Sequence, residues 1–537
     1  MLSGGGGKTM NEKRTKMISL EELLYFGFFL LLSITKGFGF YDGQKLFLLL
    51  VIPALLLGLG KILLTPYTKR QWVMVAVLLL LTAVVYCRSG EKGILFIMFM
   101  ILGMKNIPLK KVMRTGLWIW TLCAVLLSVF SFFRLEHTIY RVHQKMGLGH
   151  IFRWSLGFTH PNVLHITYFV LCAFLIYELA ERYCLKHFLL LMLGNVLVFF
   201  YSVSFTGFGI VAIFLVGELY VRFRPKFCLL EKAAVSLVLP VCILFSFLLP
   251  WLYARQAAAQ HIAPWLEKLN SLLNTRISLA SQFLSPGYTS LFGARIALLE
   301  LPSGSVDSSY MWGFINYGFI PFLLLMAAYF LLVADACRKQ KTREAVMVIC
   351  FLGAGFTEQL LFNTSFKNIT LLFLGELLYR QKEGEKEYAL LPLARKKIAV
   401  PIPAAVPFIA GMPGRMAGVW KSCRKQVLVS VLAGGIAGLI LCGVLYTAPK
   451  GYVVQRFYTD GRFETWENLE SAQDPAYEGY RIMNYVDADT RMQIIEGNAV
   501  MVETARYYVG SVLIGGLAGY LICIFCLGIR NSSWRES

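Results

Sequence analysis

The 537-residue chain is 57% hydrophobic and 14% aromatic, with only 15% charged residues, which is more apolar surface than a soluble protein of this size can hide. Its formal net charge of +21 would suit a nucleic-acid binder, but the Lys and Arg residues fall mostly in short connectors between apolar stretches, where they orient a membrane protein. Composition thus argues against a soluble enzyme and against a nucleic-acid partner, and it makes the lipid bilayer the first partner to consider.

The N-terminal GGGGKT lacks the first glycine of a phosphate-binding loop, with Leu2 in its place, so residues 1–17 read as a cytoplasmic tail. The first apolar stretch, Leu20–Thr35, has no small-residue cleavage site, and no cleavable signal peptide is expected. Apolar windows then recur at the roughly 16–22 residues that a helix needs to cross a ~30 Å hydrocarbon core. They predict helices near 19–36, 45–64, 71–87, 93–104, 116–133, 161–180, 187–203, 207–222, 234–253, 309–334, 345–362 and 368–380, with a final pair at 427–446 and 509–528. Every second connector is basic, from Lys8, Lys13, Arg14 and Lys16 through Lys69/Arg70, Lys105/Lys110/Lys111/Arg114, Arg182/Lys186, Arg222/Arg224/Lys226/Lys232 and Arg338/Lys339/Lys341/Arg343 to Arg380. The positive-inside rule assigns these connectors, and both termini, to the cytoplasm. The expected fold is therefore all-α and polytopic, with about twelve transmembrane helices over residues 18–380.

A linker follows at 381–426, marked by its charges and by Pro401, Pro403, Pro407 and Pro413. Residues 427–537 read as a separate two-helix module around an outer segment, 447–508. Gly434-x-x-x-Gly438 and Gly515-x-x-x-Gly519 have the spacing that lets helix backbones approach closely in lipid. Only Cys87 of the twelve cysteines lies near the outer rim, and Cys523-x-x-Cys526 has no second pair, so neither a disulfide framework nor a zinc site is expected.

Two outer connectors are longer than a turn requires. Residues 134–160 carry Arg134, Arg141, Lys145 and Arg153 against Glu136, together with His137, His143, His150 and His160. Cationic outer loops run against the positive-inside bias, which points to a bound polyanion or to lipid phosphates. Residues 253–309 hold Arg276 within LNSLLNTRISLASQFL, whose apolar residues have roughly helical spacing, then Gly287 and Gly293, and lead into Asp307-Ser-Ser-Tyr310. Glu358, read as lying inside the 345–362 span, is costly there unless paired or hydrated, which makes it a functional or a packing residue. Arginines bind phosphate through a planar donor fork, and a carboxylate or histidine can take the proton of an attacking hydroxyl. Each group also has a bland role open to it: Arg276 snorkelling to lipid, Asp307 capping a helix, His160-Pro-Asn162 starting one, Glu358 pairing with a neighbour. Neither loop has a DxD-like pair, so a metal-bound nucleotide sugar fits poorly and a lipid-linked donor fits better.

RWSLGFTHPN, LNSLLNTRISLASQFLSPGYTSLFG, DSSYMWGFINYG and FTEQLLFNTSFKN, in this order and at outer helix ends, resemble the bacterial O-antigen and capsular polysaccharide polymerases (Wzy type) over about residues 18–380. The resemblance extends to the broader O-antigen ligase-like membrane glycosyltransferases. It implies a metal-independent, cofactor-free inverting glycosyltransferase of the bacterial cell membrane that joins repeat units carried on undecaprenyl pyrophosphate. By the same resemblance Arg276, with Arg153 or Arg141, would bind the pyrophosphate, and Asn162 and Tyr310 would contact substrate. Asp307 would be the favoured general base, with His160 and Glu358 as alternatives. Many relatives carry an arginine in the turn that reads SVSFTG here, so a phosphate contact from that turn is in doubt. A ligase using a different acceptor, or a non-enzymatic lipid-linked glycan exporter, remains an alternative, and a chain-length regulator or a flippase would be a further partner. The C-terminal module has the topology of a chain-length regulator, or else serves as an anchor.

Overall fold

The computed structural model describes residues 15–133, 140–144, 150–284, 288–294, 306–380, 385–390, 397–401, 405–459, 464–466, 478–485 and 493–533. In chain order the core helices are α1 Leu20–Gly37, α2 Lys45–Leu64, α3 Lys69–Ser89, α4 Gly93–Leu102, α5 Leu109–Phe133, α6 Pro161–Leu179, α7 Leu185–Ser202, α8 Phe205–Phe223 and α9 Leu229–Ala258. They continue as α10 Pro264–Leu272, α11 Arg276–Ser281, α12 Ser309–Tyr317, α13 Phe319–Arg338, α14 Thr342–Thr357 and α15 Leu371–Leu378. The hairpin helices are α16 Ala405–Leu445 and α17 Asn498–Ser533. Among the described residues ten helices are long and apolar enough to cross a membrane: α2, α3, α5 to α9, α13, and the stretches Cys423–Leu445 and Asn498–Leu527 of the hairpin. The chain is a multi-pass, all-α membrane protein.

The apolar helices divide their surface between lipid and protein. On α2, Phe47, Val51, Ala54 and Gly58 face inward, whereas Leu49, Ile52 and Leu56 are exposed. Both sets are apolar and both follow the helical repeat, as expected where lipid replaces water outside.

Four of the fourteen expected spans, at α1, α4, α14 and α15, are not among those ten helices. α1 has Glu21, Glu22 and Lys36 at its ends. α4 has ten residues and nine of them are buried, and α15 has eight, packed against α4. Their apolar sequences reflect burial in protein, not exposure to lipid. α14 ends at Thr357, so Glu358 is not inside a span but at the helix end, in an extended conformation. The expected 309–334 span is two helices. Gly318 (φ +83°) breaks it, and a side chain there would strike the backbone of Phe292 and Gly293.

The hairpin and the segment before it pair with strands from elsewhere in the chain. α16 begins at Ala405, inside the expected linker, and bends at Cys423. Strand β1 (Thr15–Ser19) pairs antiparallel with β4 (Lys397–Pro401) of that linker. Strands β2 (Tyr140–Gln144) and β3 (His150–Trp154) of the first cationic connector form an antiparallel pair. They join one sheet with β5 (Gly451–Thr459), β6 (Glu464–Trp466), β7 (Tyr480–Tyr485) and β8 (Gln493–Ile495) of the hairpin's 447–508 segment, in the order β3-β2-β7-β5-β6, with β8 on β5. The two glycine pairs do bring the hairpin backbones together: a Cβ on Gly515 would lie 2.2 Å from the Gly434 carbonyl oxygen, and one on Gly438 would lie 2.2 Å from that of Ser511.

Candidate functional site

The polar side chains converge at the end of the bundle where α6, α8 and α12 begin and α14 stops. Arg276 is the hub. LNSLLNTRISLASQFL does not form one amphipathic helix, because Asn274 and Thr275 are left-handed (φ 56° and 63°) and separate α10 from α11. The buried Asn270 side chain fixes the break by accepting the Ile277 and Ser278 amides at 3.1 and 3.0 Å. Arg276 therefore starts α11 and turns inward. Its Nε donates to Asp307 Oδ2 at 2.9 Å, Nη2 to Glu358 Oε1 at 2.7 Å and Nη1 to Thr206 Oγ1 at 3.2 Å.

A second arginine arrives from the other long connector. Along β3, Phe152 and Trp154 face the hairpin, and Arg153 faces the opposite way, as strand alternation requires. Its Nε donates to the Ser202 carbonyl at 2.9 Å and its Nη2 to Asn162 Oδ1 at 2.6 Å. Asn162 in turn donates from Nδ2 to Glu358 Oε1 at 3.3 Å. The SVSFTG turn thus receives both arginines, Arg153 at Ser202 and Arg276 at Thr206, although it carries none itself.

The Asp307-Ser-Ser-Tyr310 motif divides its tasks. Asp307 pairs with Arg276, and Ser308 donates to Ser246 Oγ at 3.1 Å. Ser309 Oγ accepts the Leu360 and Leu361 amides at 3.0 and 3.1 Å and donates to the Glu358 carbonyl at 2.5 Å, which secures the chain just beyond α14. Tyr310, expected to contact substrate, lies wholly buried below the site and donates to the Leu352 carbonyl at 2.8 Å. His160 caps α6, its Nδ1 accepting the Asn162 amide at 3.0 Å. That bond leaves the proton of the neutral ring on Nε2, so His160 presents a donor and not a base. Arg141 is opposite Arg153 in the β2–β3 pair, and its side chain lies outside the described residues, as does Gly287.

These groups line a cavity of about 540 Å³ whose wall includes Arg153, His160, Asn162, Arg276, Asp307, Glu358 and Lys367. Lys367 escaped the sequence reading because a lone lysine beyond an apolar run looks like a snorkelling surface residue. It is 5% exposed, its ammonium donates to the Val163 carbonyl at 3.3 Å, and among the described residues no carboxylate lies within ion-pair distance. Phe366, left-handed at φ 56°, seats its ring against Phe28, Phe29 and Phe96. Asn368 anchors the other side through Tyr329 Oη and the Leu361 carbonyl at 2.7 and 3.0 Å.

Glu358 and Lys367 both belong to the connector 358–370, outside the helical spans. Burial pushes the Glu358 carboxyl up to about 7, against the pull of Arg276, with Asp307 raising it further and Arg153 opposing. Burial, then repulsion from Lys36, brings the Lys367 ammonium down to about 7, with Glu358 acting the other way. A buried carboxylic acid that ionises near neutrality, beside three cations in one concavity, suits binding of an anionic group together with proton transfer. Comparison of the chain with protein-family models, with curated proteins and with solved structures finds no match.

Proposed function

We propose that the chain is a membrane glycosyltransferase that polymerises glycan repeat units carried on undecaprenyl pyrophosphate, working at the outer face of the bacterial cell membrane. The observation that carries this reading is the joining of Arg153, Arg276, Lys367 and the near-neutral Glu358 around one cavity at the helix ends. In the proposed reaction a hydroxyl of the acceptor's terminal sugar attacks the anomeric carbon of the donor glycan. The bond from that carbon to the pyrophosphate oxygen breaks with inversion, and Glu358 takes the hydroxyl proton. Arg153 and Lys367 offset the negative charge that grows on the departing pyrophosphate. Arg276, with all three nitrogens engaged by protein, instead holds Glu358 and Asp307 in place. Glu358 is preferred to Asp307 as the base because its carboxyl is more buried and ionises near the working pH.

A lipid-linked substrate also needs an apolar berth beside its polar head, and α6 offers both. Asn162, Val163 and Ile166 line the polar cavity. Leu164, Thr167, Tyr168 and Leu171 line an apolar crevice of about 300 Å³ shared with α5 and α17, suited to the polyprenyl chain. An exporter would want its polar groups along the middle of the helices, whereas here they gather at helix ends, which favours an enzyme. The test is purified protein given a synthetic lipid-linked repeat. A ladder of polymers is expected from the wild type and is lost in Glu358→Gln by a factor of about 10²–10⁴. A single transferred product would indicate a ligase, and no product from a folded wild-type protein would refute the reading.

A further inference from the structure

The buried pair Glu503–Arg506 on α17 borders the cavity nowhere, yet it grips the two segments that hold Arg153. Arg506 Nη1 donates to the Phe152 carbonyl at 2.6 Å and Nε to the Phe200 carbonyl at 2.9 Å. Tyr201 Oη donates to the Arg506 carbonyl at 2.8 Å, and Trp154 Nε1 donates to Glu503 Oε2 at 2.7 Å. The residues held are Phe152 and Trp154, which flank Arg153 on β3, and Phe200 and Tyr201, which precede Ser202, whose carbonyl receives the Arg153 side chain. Arg506 and Glu503 are each 1% exposed, and they sit among Phe152, Trp154, Tyr201, Tyr452 and Tyr507.

A buried ion pair seldom adds net stability over an apolar packing of the same shape, and its surest gain is a fixed geometry. Here the geometry fixed is a spacing. One guanidinium spans the carbonyls of residues 152 and 200, and so sets the separation of β3 from the end of α7, across which Arg153 reaches to Ser202. We infer that the C-terminal hairpin is a working part of the cavity, with Arg506 and Glu503 as positioning residues that place the Arg153 guanidinium for a pyrophosphate group. The inference rests on the reading of the cavity as a pyrophosphate site. On this inference the hairpin acts from behind the site's wall, through β3 and the end of α7. A lysine cannot take over the role of Arg506, because one ammonium lacks the rigid fork that joins both carbonyls.

The experiment is calorimetric titration of inorganic pyrophosphate into the full-length protein in lipid nanodiscs. It compares wild type, Arg153→Ala, Arg506→Lys, Glu503→Gln, and Arg153→Ala combined with Arg506→Lys. Glu503→Gln keeps shape and the acceptor for Trp154, and so provides a gentler variant should Arg506→Lys fail to fold. Loss of Arg153 is expected to weaken binding about 10-fold or more, as for a charge-assisted contact. Arg506→Lys should weaken it similarly, Glu503→Gln less, and the combined variant no more than Arg153→Ala alone, since both changes remove one contact. Multiplying effects, or lowered thermal stability at unchanged affinity, would overturn the positioning role and leave the pyrophosphate site standing. Unchanged affinity in Arg153→Ala would overturn the site and this inference together.

Discussion

Replacing Arg276 by Met tests whether that guanidinium holds a carboxyl ionising near neutrality. Arg276 is 10% exposed on its side chain and Glu358 13%, so this bond is mostly shielded, whereas Asp307, at 35%, can hydrate when released. At pH 6 Glu358 is largely protonated in the wild type, and the variant loses mainly hydrogen bonds to a charged donor, about 2 kcal/mol. Because the folded carboxyl ionises near 7, above its ordinary 4.5, the folded state binds more protons than the unfolded one between those values. Wild-type stability therefore falls as pH rises from about 4.5 to 7 and then levels off. Without Arg276 the carboxyl titrates higher still, and the fall continues past pH 7 by about 1.4 kcal/mol per pH unit. At pH 8 the total loss is then about 3–4 kcal/mol, in the range for breaking a buried ion pair. Thermal or denaturant unfolding of the detergent-solubilised protein at pH 6 and pH 8 measures both losses. Arg276→Met with Glu358→Gln should remove the extra loss at pH 8. An equal loss for Arg276→Met at the two pH values would refute the reasoning.

On the proposed reaction, kcat/KM should rise with pH as Glu358 ionises near 7 and fall as Lys367, which faces Glu358 and Lys36, loses its proton in the same region. Lys367→Arg stays charged throughout and should abolish only the falling limb, so a falling limb that survives the substitution would show that Lys367 does not cause it. In the hairpin, Gly515→Ala places a Cβ 2.2 Å from the Gly434 oxygen and should cost about 1–3 kcal/mol by overpacking. The neighbouring Gly516→Ala meets Val431 at an ordinary 3.5 Å and should be neutral or slightly stabilising, a contrast that unfolding curves would reveal.

Much of the site was legible in the sequence because charge is expensive beside a membrane. Arg276, Asp307, Glu358 and Arg153 stand out against apolar surroundings, and the structure gathers them around one cavity. Tyr310 stood next to them in the chain but packs beneath them, because α12 turns it toward Leu352. Lys367 was illegible for the opposite reason. Its place depends on a left-handed Phe366 and on an asparagine network closed by Tyr329 of α13 and by Leu361 of the same connector.

Composition and the helical repeat were enough for an all-α membrane protein, since ~30 Å of hydrocarbon dictates the length and polarity of each crossing helix. The glycine spacing likewise announced the close approach of α16 and α17, because nothing larger fits between those backbones. Hydropathy could not separate lipid from protein interior, and so α4 and α15 read as spans although they are buried pieces of the core. Only the tertiary structure decided that the hairpin packs on the segments that carry Arg153 and Ser202. The pairing of β2 with β7 at Tyr140 and Tyr485, and the grip of Arg506 on residues 152 and 200, join segments more than 300 positions apart, and no local pattern encodes such contacts.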